Sequence, residues 1–427
     1  MDLTELSASA AAQLLRDKSI SAVELTQACL QRIAERNNDV GAFRHIDPDF
    51  SLAQAARADR DVPRSPLHGI PFAVKDVIDT RDFPTEYGTK IHAGRRPSVD
   101  AKCVSLMREA GAVLLGKVVS TEYAMFTPNE TRHPMNLEHT AGGSSSGTAA
   151  AVCDRMVPIA FGNQTAGSLI RPAAYCGVYG LKPTYGTTDG AGILPLQLYF
   201  DTLGYMARCI EDLQSFYGIV SEKDQTTQWP EAQPAKIGIC ETFQWEFAEP
   251  ASRSVLTQAA KLFARHGNHI EPFGLPSAHK DLVAVHRRVL YSGIATSLDE
   301  DFRNHADQMS DQLLDLLEEG RRTTAQEFHQ AKTIAAKCRA SVNDCFGDLD
   351  AIICPSAPAE APHGWATGNP IFQVSWTLLG VPCLNLPVGI GPNGLPVGIQ
   401  LIGRQYDDKK LLALGQHLTR DLPPIQA

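Results

Sequence analysis

Residues 142–171 read GGSSSGTAAAVCDRMVPIAFGNQTAGSLIR. A glycine–serine block gives way to TAAAV, which has helical character. MVPIAF at 156–161 reads as a short apolar strand. A second block of small residues follows at 163–168, and Pro172 suits the first turn of another helix. This alternation is the rhythm of an α/β protein. Upstream, GIPFAVKDVID at 69–79 and AVLLG at 112–116 read as strands, with a helix at 101–110 between them. Downstream, KIGIC at 236–240 and DAIIC at 350–354 are continuous apolar runs, the pattern of strands buried on both faces. VPCLNLPV and LPVGIQLIG add two more strands near the end. Helical patterns occupy roughly 251–266, 278–318, 324–345 and 408–420. Near the start, Ser21 and Glu24 fit a capping box opening a helix. The expected fold is α/β, one large domain with a mixed sheet covered on both faces by helices. The best linker candidate, 221–235, is polar and short, and reads as a surface excursion.

The bulk numbers narrow the function. The 427 residues are 43% hydrophobic and 20% charged, ordinary for a globular protein. A net charge of −9 argues against a nucleic-acid partner. Ten scattered cysteines form no C-x-x-C pair and read as free, mostly buried thiols. Thirteen histidines form no H-E-x-x-H motif, so neither a metal nor another cofactor is expected. The start, MDLTELSASAAAQLL, has acidic residues where a signal peptide has basic ones, and no run reaches the ~20 apolar residues of a membrane span. A cytoplasmic protein with no membrane partner is expected; a homodimer is compatible with the sequence.

Two familiar patterns fail on inspection. Gly111 to Lys117 resembles a phosphate-binding loop, but Val118 stands where Ser or Thr is needed, and the interior prefers a strand. Gly143 to Gly147 satisfies G-x-S-x-G with Ser145 at its centre. A nucleophile elbow follows directly from a strand, whereas 136–140 is polar and shows no strand character. His363 and His417 stand later in the chain as partners for that reading.

The two small-residue blocks suit other chemistry. Glycines open backbone conformations closed to other residues, and the helix that follows offers free N–H groups. Successive N–H groups near Ser168 can form an oxyanion hole. A serine nucleophile needs a base. His133 and His139 are the nearest histidines, and Lys75 lies in an apolar run where desolvation favours its neutral form.

Taken together, these residues resemble the amidase signature family. The resemblance rests on GIPFAVKDVIDT, AGGSSSGTAAAV, NQTAGSLIRPAAYCGVYGLKPTYG, DTLGYMAR, VPCLNLPVG and LPVGIQLIG. It implies the amidase signature fold over 1–427, with a signature core at 66–211, a variable, mostly helical substrate-side region at 220–345, and a C-terminal part of the core at 350–427. It implies a Ser–cis-Ser–Lys triad, with Lys75 as base, Ser144 as relay and Ser168 as nucleophile. The oxyanion donors implied are the N–H groups of Thr165, Ala166, Gly167 and Ser168. Gln164 and Ala166 depart from the usual Asp-Thr-Gly-Gly-Ser. Ala166 is compatible with the site if no positive φ is needed there. The pattern is most similar to the malonamidase type of small amidase, in which an arginine at the position of Arg171 binds a substrate carboxylate. The other reading of Arg171 is a structural ion pair. Gly143, Tyr123, Met125, Phe126 and Trp376 are further pocket candidates, each also compatible with packing.

The reading is a hydrolase cleaving the C–N bond of a small amide through a Ser168 acyl-enzyme. A carbamate or aryl-amide hydrolase of the same fold, or an amidotransferase A-type subunit with partner chains, are the alternatives.

Overall fold

The computed structural model describes residues 1–221, 229–231 and 233–422. Thirteen strands are present among them: β1 (Phe43–Ile46), β2 (Pro71–Lys75), β3 (Val113–Val118), β4 (Arg132–His133), β5 (Asn136–Thr140), β6 (Ile159–Gln164), β7 (Tyr179–Lys182), β8 (Thr202–Ala207), β9 (Lys236–Cys240), β10 (His269–Phe273), β11 (Ala351–Pro355), β12 (Cys383–Ile390) and β13 (Pro396–Ile402). Eleven join one mixed sheet in the order β1-β3-β2-β6-β8-β7-β12-β13-β11-β9-β10. β2 runs parallel to β3 and β6, while β8, β7, β12 and β13 are joined by antiparallel pairings.

Side-chain alternation divides the core in two. Phe72, Val74, Ile159, Phe161, Leu203 and Tyr205 point into one apolar cluster, whereas Ala73, Ala160 and Met206 point into another. A strand places successive side chains on opposite faces, so each face has its own helices. The second cluster is capped by helices Ala22–Val40 and Ser146–Cys153. The first takes helices Lys102–Glu109 and Ile210–Val220 and most of the helices after residue 250. This is a single domain covered on both faces. Apart from Ile390 at the end of β12, the exposed positions of the sheet lie on the edge strands β1 and β10.

The register of β6 helps to set the site. Phe161 packs edge-on against Phe72 and 4.4 Å, centroid to centroid, from Phe216. Burying one phenylalanine contributes about 2–3 kcal/mol. A one-residue slip of β6 would reverse every side chain on it, including Asn163.

Local expectations mostly match. Ser21 and Glu24 form the capping box. The stretch from Gly111 to Lys117 runs into β3, and Lys117 Nζ is buried against Ile78 O, Thr85 Oγ1 and, at 3.7 Å, Asp76. The long pattern at 278–318 resolves into Leu282–Ser297, Asp299–His305 and Asp311–Arg322. One expectation is corrected: 136–140 does form a strand. β5 pairs with β4 in a separate two-stranded sheet and bridges to His363 on its other side, with mostly partly exposed side chains, so it needs no apolar alternation. The linker candidate at 221–235 falls largely outside the described residues. No helix among the described residues is long and apolar enough to cross a membrane.

Candidate active site

Lys75 and Asn163 stand at or near the carboxyl ends of the adjacent parallel strands β2 and β6. Clefts for ligands form at such strand ends. Lys75 Nζ lies 2.6 Å from Ser144 Oγ and donates to Asn163 Oδ1 at 2.7 Å. The lysine is fully buried and has no carboxylate partner among the described residues. Burial, and secondarily the charge of Arg171, hold its pKa well below the usual lysine range. Neutral lysine has a lone pair that can accept the Ser144 hydroxyl proton.

Ser144 follows a turn that only glycine makes easily. Gly142 has φ of +80°, and a Cβ there would press on Tyr175 and Pro172. The Gly143–Ser144 peptide is cis. Ser145, at the centre of the G-x-S-x-G match, donates its Oγ to Asn163 O at 3.3 Å. Its N–H donates to Ser168 O at 3.1 Å, tying the two serine blocks together. Ser168 Oγ itself makes no hydrogen bond to another described residue. Ser168 is 8% exposed, against 1% for Ser144 and 0% for Lys75, so of the three it faces the opening.

The loop 165–168 is held by its carbonyls. Thr165 O meets His286 Nε2 at 2.8 Å, and Ala166 O accepts from Thr377 Oγ1 at 2.7 Å. Gly167 O accepts from Arg171 N at 3.1 Å. The N–H groups of Ala166, Gly167 and Ser168 donate to no described residue. Ala166 does not take a positive φ, so alanine is no strain there. Gln164 substitutes for the usual aspartate by capping the helix Ile170–Tyr175. Its Oε1 accepts from Leu169 N and Ile170 N, at 2.9 and 3.0 Å, and its Nε2 donates to Thr377 Oγ1 at 2.9 Å. A Cβ on Gly167 would sit 2.9 Å from Pro370 Cβ and 2.6 Å from Gln373 Oε1, so glycine allows the close approach there.

Arg171 is 1% exposed. Its Nη2 donates to Gly143 O at 2.7 Å, which is the role the structure gives Gly143. Nε and Nη1 are buried without partners. No carboxylate among the described residues pairs with it, so the structural ion pair is absent. Burial pushes its pKa down to about 10, which leaves it charged at neutral pH.

The nearby histidines are committed elsewhere. His133 Nε2 donates to Tyr175 O at 2.7 Å while its Nδ1 accepts from Met135 N at 3.1 Å. Both ring nitrogens are spent, and burial pushes its pKa to about 4. His139 Nδ1 lies 2.7 Å from Ala361 O. Of the pocket candidates, Tyr123 donates its hydroxyl to Asp301 at 2.8 Å, and Met125 closes a turn whose Thr121 N–H reaches Ser144 O. Phe126 is half-buried against the core, and Trp376 lies within it at 1% exposure. Asn163, His286 and Thr377 are not singled out by the motifs. Asn163 has a signal, an amide near the end of an apolar strand and at the start of the second block.

The Amidase family model matches residues 24–412. The chain belongs to the amidase family. It is an enzyme acting on C–N bonds. It is 31% identical to the A-subunit of Glutamyl-tRNA(Gln) amidotransferase from Chloroflexus aggregans, over 98% of this chain and 97% of that one. The native peptide amidase of Stenotrophomonas maltophilia has 26% identity and a TM-score of 0.84, covering 99% of this chain and 98% of that chain. A structure from a vestigial protein complex that reveals the evolutionary origins of an s-triazine catabolic enzyme has 25% identity and a TM-score of 0.91, covering 99% of both chains. These relatives extend over the middle of the chain as well as over its motifs.

Proposed function

We propose that this protein hydrolyses a small amide through an acyl-enzyme on Ser168. The observation that carries the reading is the buried Lys75, free of any carboxylate among the described residues and hydrogen-bonded to Ser144. Neutral Lys75 takes the Ser144 proton as Ser144 takes the proton of Ser168. Ser168 Oγ attacks the amide carbonyl carbon, and the N–H groups of the loop 165–168 receive the oxyanion. Ser144 returns a proton to the leaving nitrogen, the C–N bond breaks, and water then cleaves the ester by the reverse relay. The histidines near the site are already engaged, which supports lysine as the base.

Arg171 supports a narrower substrate class, an amide carrying a carboxylate close to the scissile bond. A buried guanidinium with two unpartnered nitrogens is completed by a carboxylate better than by any neutral group. The region 220–345 supplies the substrate side in this reading. The free thiols and acidic chain support a cytoplasmic setting.

The test is partitioning. With hydroxylamine present, an amide, an anilide and an ester that share one acyl group are expected to give one hydroxamate-to-acid ratio, with Ser168→Ala giving none. Ratios that vary with the leaving group would mean direct attack by water and end the acyl-enzyme reading. The likeness to an amidotransferase component favours a second reading, in which partner chains accompany this one. A second polypeptide retained through purification at native stoichiometry would select it; a single chain or homodimer rejects it.

A further inference from the structure

Two side chains from outside the serine blocks hold the loop that bears the nucleophile. His286 stands on the helix Leu282–Ser297, far along the chain from both blocks. Its Nε2 lies 2.8 Å from Thr165 O, and the ring stacks on Phe200 at 4.5 Å with an interplanar angle of 22°. The histidine is 2% exposed and Phe200 is 0% exposed. Because a carbonyl is its partner, Nε2 must carry the hydrogen. Burial pushes the imidazole pKa to about 4, so the ring is neutral at ordinary pH and its donor is permanent.

The geometry has a direct consequence for the neighbouring N–H. In a trans peptide the C=O and N–H of one plane point in opposite directions. Fixing Thr165 C=O on His286 therefore aims the Ala166 N–H away from His286, and that N–H is among those with no described partner. Thr377 does the same for the next plane, Ala166 C=O and Gly167 N–H. A phenylalanine would satisfy the stack on Phe200, so packing alone does not call for an imidazole here.

We infer that His286 is a positioning residue for the oxyanion hole, clamping the Thr165 carbonyl so that the Ala166 N–H points at the reacting carbonyl oxygen. The inference rests on the Ser168 acyl-enzyme reading. It also assigns a part in the site to the middle of the chain, where the signature motifs are silent. An oxyanion forms only as the reaction proceeds, so a misaimed donor lowers kcat and leaves KM nearly alone.

The experiment uses p-nitrophenyl acetate, a probe that needs the nucleophile and the oxyanion hole and little acyl pocket. His286→Phe keeps the stack and removes the donor; its kcat is expected to fall roughly 10²-fold with KM within about twofold. His286→Gln restores an N–H near the position of Nε2 and is expected to recover about tenfold of that loss. Should His286→Phe not fold, His286→Asn, whose amide is too short to reach Thr165, replaces it in the comparison with His286→Gln. The inference is overturned if the variant without the donor keeps kcat within about threefold of the parent, or if His286→Gln is no better than that variant. Ser168→Ala is run in parallel. Parent turnover that survives Ser168→Ala, or is absent altogether, overturns the acyl-enzyme reading and this inference with it. Ser168-dependent turnover unaffected by His286→Phe overturns this inference alone.

Discussion

Lys75→Met is expected to lower kcat/KM on the order of 10⁴-fold or more, the loss seen when one member of a concerted nucleophile–base unit is removed. Methionine fills most of the buried space but has no basic nitrogen. Ser144 then has no acceptor for its proton, and Ser168 remains a neutral alcohol. The same variant has a signature in stability. The folded-state pKa of Lys75 is depressed, while the unfolded lysine titrates near 10.4. Between those two values the unfolded chain binds one more proton than the folded chain. Stability contributed by this group therefore rises with pH through that window, by about 1.4 kcal/mol per pH unit, and levels off above the unfolded value. Other buried groups titrate as well, so the difference between parent and variant is the quantity to measure. Urea unfolding at about pH 7 and pH 9 should show the parent gaining stability relative to Lys75→Met. Retained activity in Lys75→Met would remove lysine from the mechanism. A parallel pH dependence in the two proteins would mean that Lys75 is charged in the folded state.

Arg171→Met is expected to lower the preference for carboxylate-bearing amides over neutral ones by roughly 10²-fold, the worth of one or two charge-assisted hydrogen bonds. The ratio of kcat/KM values is the right readout because Arg171 has a second job. Its Nη2 holds Gly143 O, one residue before Ser144, so the variant should lose some activity on every substrate. A neutral amide of matched size measures that common loss. What the anionic amide loses beyond it belongs to the carboxylate. Arg171→Lys should recover little of the preference, because an ammonium cannot reproduce the two-pronged guanidinium while also reaching Gly143 O. An unchanged ratio would send the substrate search back to neutral amides and carbamates.

The sequence carries the fold and the candidate positions of the proposed triad for a physical reason. Residues such as Gly142, Ser144, Gly167 and Ser168 act through backbone shape and local spacing, which a linear reading displays. The apolar runs that become β2 and β6 likewise display that these strands are buried on both faces. The rest depends on tertiary pairing. His286 meets Thr165, 121 positions away in the chain, and Thr377 meets Ala166 across 211. Neither carries a local pattern that says so. The strand at Asn136–Thr140 escapes a linear reading because its side chains are mostly partly exposed and its partners are a short hairpin strand and the distant His363. The fate of Arg171 needs the structure as well, since spacing does not separate an ion pair from an unfilled donor set.

In the proposed mechanism, a substrate carboxylate on Arg171 would make the proton affinity of Lys75 depend on occupancy. In the free protein the charge on Arg171 helps to keep Lys75 deprotonated. A bound carboxylate would neutralise it, and the lysine would become easier to protonate. By reciprocity, protonation of Lys75 would favour capture of the anion. The acid limb of kcat, which reports the occupied enzyme, should then lie at higher pH than the acid limb of kcat/KM, which reports the free enzyme. A neutral amide should show the two limbs together. Coincident limbs with both substrates would mean that the site feels no charge from its ligand.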